Sequence, residues 1–256
     1  MDAYTSFAEV YDTFMDDIPY GEWSAYIIDL LKEYGISEGI VADLGCGTGT
    51  VTRLLAAAGY DMIGIDSSPD MLDVARAASC PDADAKQHEI LYLLQDMREF
   101  ELYGTVAAVV SVCDCINYIT EPEELLQVFR LVNNYLDPQG VFIFDFHPEG
   151  YYREVLGDNI FAEDREDMSF IWENEYDMES HINLYELSFF VRGADGRYDK
   201  YREIHQQRGY ALDEMQALIE ASGLQFIAMY DALTKEPAGK DCERVYVVAR
   251  EQGKKL

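Results

Sequence analysis

The sequence predicts an α/β protein: a Rossmann-like, doubly wound, mostly parallel sheet of about seven strands, with an inserted antiparallel β-sheet. Three observations predict it. Short apolar runs alternate with segments of helical period between residues 22 and 146. A glycine-rich turn, Gly45-Cys46-Gly47-Thr48-Gly49, joins the first such run to its helix. Residues 151–205 then abandon the alternation for strand-like stretches rich in charge and aromatics.

Taken in order, Trp23, Tyr26, Ile27, Leu30, Leu31 and Tyr34 recur at helical spacing and predict a helix over 22–34, closed by Gly35. Ile40 to Leu44 reads as a strand, and Val51, Leu54, Leu55 and Ala58 as a helix ending at Gly59. Tyr60 to Asp66 is a second strand, and Ser68-Pro69 supplies a cap and a first-turn proline for the next helix. Strands follow at Ile90 to Gln95 and Val106 to Val112, then a helix opened by the capping box Thr120-x-x-Glu123. Asp137-Pro138-Gln139-Gly140 reads as a turn before a buried strand, Val141 to Phe146. The insertion has strands around Phe170 to Tyr176, Ile182 to Val191 and Tyr198 to Ile204. A helix stopping at Gly223 and strands at Leu224 to Tyr230 and Arg244 to Ala249 complete the pattern. Residues 1–150 and 206–256 are therefore expected to form one α/β domain, and 151–205 a lid over the carboxyl edge of its sheet.

Composition excludes more than it assigns. The chain carries 19 Lys plus Arg against 49 Asp plus Glu, a formal charge of −30, which repels nucleic acid and anionic membrane. Cys46, Cys80, Cys113, Cys115 and Cys242 form no paired CxxC spacing, so no structural zinc is expected. No apolar run approaches the ~20 residues that span a bilayer, and the start lacks a signal-peptide pattern, so a cytoplasmic location is expected.

The chemistry centres on the turn after the first strand. Glycines there bring backbone to a ligand at the carboxyl end of the sheet. A nicotinamide dinucleotide fingerprint would need a third glycine where this chain has Thr50. Asp43 places a carboxylate beside the loop, repelling a pyrophosphate but suiting the ammonium of a methionine moiety. Asp66, 17 residues beyond Gly49, can accept hydrogen bonds from vicinal ribose hydroxyls. Asp96 and Met97 follow the third strand, where an acidic group and an apolar neighbour suit an adenine. Cys113 to Tyr118 ends the fourth strand, with backbone carbonyls, Cys113's among them, expected to face the methionine end. His147, His205 and Tyr118 are candidate general bases, Asp114 has similar standing, and Arg208 reads as half of an internal salt bridge.

In that order and spacing, VADLGCGTG, GIDSSPDML, QDMREF and VVSVCDCINY resemble the successive motifs of class I S-adenosylmethionine (SAM)-dependent methyltransferases. FAEVYDTFMDDIPYGEW, FIWENEYD and EIHQQRGY are similar to a bacterial group of small methyltransferases with a β-sheet insertion. The resemblance implies SAM as cofactor, backbone contacts from Gly45, Cys46 and Gly47, a ribose contact from Asp66 with Ser67 and Met71 beside it, and an adenine contact from Asp96. N-terminal tyrosines that close over the cofactor in the family make Tyr11 and Tyr20 candidates, whereas Trp23 belongs to the helix's buried stripe. A serine would be expected at Cys115, and the DPPY-like or NPPY-like segment of enzymes that methylate DNA bases is absent.

The expected reaction is in-line transfer of a methyl group to the N or O of a small molecule, which needs alignment more than side-chain chemistry. A non-catalytic SAM-binding regulatory or partner-binding protein stands as the alternative, and a nicotinamide oxidoreductase as a distant third. The sequence leaves the oligomeric state open.

Overall fold

The computed structural model describes residues 19–79, 89–193 and 195–254. Tyr11 and Cys80 lie outside them. The element order is α1 (Tyr20–Glu33), β1 (Ile40–Leu44), α2 (Thr50–Ala57), β2 (Asp61–Asp66), α3 (Pro69–Ala78), β3 (Leu91–Leu94), β4 (Val106–Ser111), a 3₁₀ turn (Cys115–Tyr118), α4 (Pro122–Tyr135) and β5 (Leu136–Phe146). A π-helical turn (Tyr151–Leu156) leads to β6 (Ile160–Asp164), β7 (Met168–Asp177), β8 (Ile182–Arg192) and β9 (Tyr198–Arg208), and then come α5 (Leu212–Ala221), β10 (Gln225–Asp231) and β11 (Val245–Arg250).

One sheet has seven strands in the order β10-β11-β5-β4-β1-β2-β3. β1 to β5 pair in parallel, while β11 runs antiparallel to both β5 and β10. Strand order reverses between β1 and β4, so a crevice opens there at the carboxyl ends. The apolar runs are explained by burial on two faces. On one face Ala42, Leu44, Phe142 and Phe144 pack against Leu125 and Phe129 of α4 and Met215 and Ile219 of α5. On the other, Val41, Val110 and Ile143 pack against Ile27, Leu30 and Leu31 of α1 and Val51 and Leu55 of α2.

Three expectations need correction. The helix after β4 is not opened by Thr120: its N-cap is Glu121, with Pro122 in the first turn. A residue preceding proline is driven to extended backbone, and Glu121 has φ −101° and ψ 121°, so the helix cannot begin before Pro122. Asp137 to Gly140 does not stand apart from the strand but lies inside β5, as an irregularity between the pairs Val106–Leu136 and Ala108–Val141. A Cβ on Gly140 would lie 2.9 Å from the Asp137 carbonyl oxygen, so the excursion needs glycine there. The insertion also has a fourth strand, β6, whose residues are all exposed and therefore leave no alternation to read.

The second sheet, β6-β7-β8-β9, is antiparallel throughout. Its entrance and exit meet at a bridge between Pro148 and Tyr210. Asn117, fully buried in the 3₁₀ turn, ties both ends down. Its amide donates to the carbonyls of His147 (2.9 Å) and Arg208 (2.7 Å), and its oxygen accepts from the His147 N–H (2.9 Å).

Candidate cofactor and acceptor site

β1 delivers Asp43, buried at the end of the strand, and the turn after it bends on Gly45 (φ +76°) and Gly47 (φ +54°). The two glycines serve different ends. A Cβ on Gly45 would lie 2.6 Å from Cys115 Sγ, so this glycine lets the turn after β4 pack on the loop. A Cβ on Gly47 would meet nothing within 4 Å, and its left-handed backbone faces open space in the crevice. Tyr20, Asp43, Gly45, Cys46, Gly47, Val112 and Cys113 line a hollow of about 30 Å³, room for one small group at the deep end.

Asp66, at the end of β2, accepts the N–H of Gly47 on one oxygen (2.8 Å) and that of Ser68 on the other (2.8 Å). The carboxylate keeps accepting capacity beyond these bonds, as a ribose hydroxyl needs. Burial raises the Asp66 carboxyl, with the backbone N–H groups of Ser68, Gly47 and Ser67 acting against it. Asp43 is pushed by burial to about 7, against the opposing bond from Thr52, whose hydroxyl donates at 2.6 Å. An ammonium beside it would draw it back to the ionised form. These groups fit the amino-acid and ribose parts of SAM.

The other candidates are distributed along the same edge. Ser68 caps α3 by accepting the Met71 N–H (3.3 Å), which leaves Ser67 exposed and Met71 in the core. Met97 reaches toward Gly45 beside Cys115. Arg98 binds both oxygens of Asp96, at 3.0 Å and 2.6 Å, and holds that carboxyl below its usual range. Cys115, where serine is expected, hydrogen-bonds through sulfur to the carbonyls of Gly45 (3.3 Å) and Val112 (3.0 Å).

After β4 two successive non-glycine residues, Cys113 (φ 64°) and Asp114 (φ 52°), sit in the left-handed region. Asp145 of β5 holds them there by accepting both their N–H groups, at 3.3 and 2.8 Å. Arg244 crosses from the start of β11 to bind Asp145 (2.6 Å), Asp114 (2.8 Å) and His147 Nε2 (2.8 Å), and it lies over the Trp23 ring. The other His147 nitrogen meets the Glu243 carbonyl at 2.5 Å, so both ring nitrogens are engaged, and burial lowers this imidazole to about 4. Arg208 pairs with Glu214 at 3.3 Å, the internal salt bridge expected of it. Sequence reasoning missed Asp145, Arg244 and Asn117, whose partners are distant in the chain.

The turn after β4 also reaches the second sheet. Tyr118 Oη lies 2.8 Å from Tyr185 Oη of β8 and 3.1 Å from His205 Nδ1 of β9, and Gln207 donates to Asp114 at 2.7 Å. One short turn thus touches the glycine loop through Cys115 and the second sheet through Tyr118.

Comparison with known proteins gives the family. Residues 41–140 match the family described as Methyltransferase domain. The chain is 34% identical over 249 residues to a methyltransferase of Geobacillus sp. (strain WCH70), covering 96% of this chain and 99% of that one. It is 26% identical over 222 residues to the dTDP-3-amino-3,4,6-trideoxy-α-D-glucopyranose N,N-dimethyltransferase of Streptomyces venezuelae, covering 85% and 90%. A crystal structure of a SAM-dependent methyltransferase from Clostridium acetobutylicum ATCC 824 superposes with a TM-score of 0.87 at 26% identity, covering 98% and 99%. The chain belongs to the class I SAM-dependent methyltransferases.

Proposed function

We propose that the acceptor is the amine of a small, hydrogen-bonding molecule, held between the crevice and an insertion (151–205) that acts as its lid. One observation carries this reading. Strand β9 is inverted: Glu203, His205 and Gln207 are 5%, 3% and 4% exposed, while Ile204 between them is 43% exposed. A sheet lying on an apolar partner would bury the isoleucine, so a polar inner face suits a polar occupant. On that face Trp172 Nε1, Tyr176 Oη and Asn183 Oδ1 are buried without hydrogen-bond partners, and an acceptor's hydroxyls would satisfy them. The Streptomyces relative whose name specifies an amino-sugar acceptor supports the same class.

SAM supplies an activated methyl group, and the chain's own residues align the acceptor and exclude water. Asp66 and the glycine turn fix the cofactor, the turn after β4 faces its methionine end, and the inner face of β7 to β9 closes the acceptor side. The test measures S-adenosylhomocysteine formation with glucosamine, galactosamine and dTDP-3-amino-3,4,6-trideoxy-α-D-glucopyranose against a panel of phenols, alcohols and carboxylates. Turnover with amines is expected. Turnover confined to hydroxyls or carboxylates would overturn the amine reading. Binding of SAM without turnover of any acceptor would favour a regulatory role. Replacing 151–205 with a short linker is expected to abolish transfer while preserving SAM binding.

A further inference from the structure

We infer that Asp145 is a positioning residue for the cofactor: it holds Cys113 in a left-handed backbone conformation and so sets the wall of the hollow that takes the methionine end of SAM. The inference rests on the reading, given above, that SAM lies in this crevice with its methionine end toward the turn after β4. Cys113 lines the hollow together with Tyr20, Asp43, Gly45 and Gly47. Its φ of 64° and the 52° of Asp114 turn the chain sharply between the end of β4 and the 3₁₀ turn.

The two residues are not equally at ease there. Aspartate is among the side chains enriched in the left-handed region, and cysteine is not. At Gly45 and Gly47 the same sign of φ falls on glycine, which has no Cβ to crowd the backbone. Cys113 has one, so its conformation must be imposed by its surroundings, as strained residues at binding sites commonly are.

Asp145 is that support. It is fully buried at the end of β5, and its three partners are all donors: the Cys113 N–H at 3.3 Å, the Asp114 N–H at 2.8 Å and Arg244 Nη1 at 2.6 Å. An ionised carboxylate accepts from all three, whereas a carboxylic acid would turn one oxygen into a donor. Burial raises this carboxyl, and Arg244 opposes the rise. Arg244 is itself fixed, because Nη2 binds Asp114 Oδ1 and His147 Nε2 at 2.8 Å each and the guanidinium lies 4.7 Å from the centre of the Trp23 ring. The second Asp114 oxygen accepts from Gln207 of β9 at 2.7 Å, and the Gln207 oxygen accepts from the Tyr152 hydroxyl at 3.2 Å. Residues distant in sequence thus keep the Cys113 backbone in a conformation that its own side chain disfavours.

The test separates backbone from charge. Cys113→Ala and Cys113→Gly both remove the thiol, and only the second removes the Cβ that resists the left-handed region. Each is made alone and with Asp145→Asn, which keeps the size of the side chain and replaces one accepting oxygen by a donor. Binding of SAM and of S-adenosylhomocysteine is measured by calorimetry well below the melting transition, on variants shown to be folded by circular dichroism. Asp145→Asn is expected to weaken both ligands about 10-fold or more. Adding Cys113→Ala should leave them as weak, and adding Cys113→Gly should restore affinity to within a few-fold of Cys113→Gly alone. An affinity that Asp145→Asn leaves unchanged overturns the inference. Equal behaviour of the alanine and glycine variants in that background overturns it too, because a role in charge or stability alone does not distinguish them. Where Asp145→Asn does not fold, the single variants decide: Cys113→Gly should melt above Cys113→Ala and bind SAM at least as tightly, and the reverse order overturns the inference. Asp66→Ala tests the reading beneath it. Unchanged SAM affinity in that variant would place the cofactor elsewhere and remove both, whereas a loss there with normal binding in the Asp145 variant removes the inference alone.

Discussion

Asp43 is a buried carboxyl whose ionisation costs the fold stability. Its folded pKa of about 7 lies above the ordinary carboxyl value of 3.8, so between those values the folded state holds a proton that the unfolded chain has lost. Ionisation therefore opposes folding increasingly as pH rises from about 4 to 7, and the full cost is present above 7. Asp43→Asn removes the ionisation and keeps an oxygen for the Thr52 hydroxyl. Without ligand, this variant is expected to melt at least about 2 °C above the wild type at pH 8 and no higher at pH 4, by scanning fluorimetry. Its SAM affinity should fall. Asp43, Gly45, Gly47 and Asp66 were legible because strand, turn and strand end follow one another within 24 residues. Asp145 and Arg244 were not: they are 99 residues apart, and both read as ordinary members of strands until the sheet places β11 beside β5.

Among elements, the 3₁₀ turn after β4 joins the glycine loop to the second sheet, and Asn117 is its fastening. Asn117→Ala leaves two buried carbonyls and one buried N–H without their partner. Each such bond contributes about 1 kcal/mol, so Tm is expected to fall by roughly 5–10 °C. Limited proteolysis should then cut within 151–205 sooner than in the wild type, while SAM affinity stays within a few-fold. A variant as resistant to cleavage as the wild type would remove Asn117 from this role. The helices and parallel strands of the large sheet were readable from periodicity, with boundaries displaced by one or two residues except at β5, which begins at Leu136 instead of Val141. The second sheet was only partly readable. β6 has no buried face, and β9 sets polar residues inward and an isoleucine outward. That inversion was present in the sequence as Glu203-Ile204-His205-Gln206-Gln207, yet alternation alone does not say which face is covered.

At the scale of the whole molecule, a formal charge of −30 on 256 residues makes self-repulsion a standing cost of compaction. Raising NaCl from 0.01 to 0.5 M shortens the Debye length from about 30 Å to less than 10 Å, and Tm is expected to rise over that range. A Tm independent of salt would mean that local ion pairs such as Arg98–Asp96 and Arg153–Glu149 already offset the repulsion. Among the described residues, no helix is long and apolar enough to cross a membrane. The position of β11 between β5 and β10 has a consequence for biogenesis. Synthesis runs from the amino to the carboxyl end, so β10 emerges before the strand that ties it to the sheet. Arg244, the guanidinium that pairs with both Asp114 and Asp145, arrives just before that strand. A nascent chain stalled short of residue 244 therefore holds two carboxylates without their guanidinium and an unpaired β10, so the turn after β4 is locked only once residues 244–250 have been added.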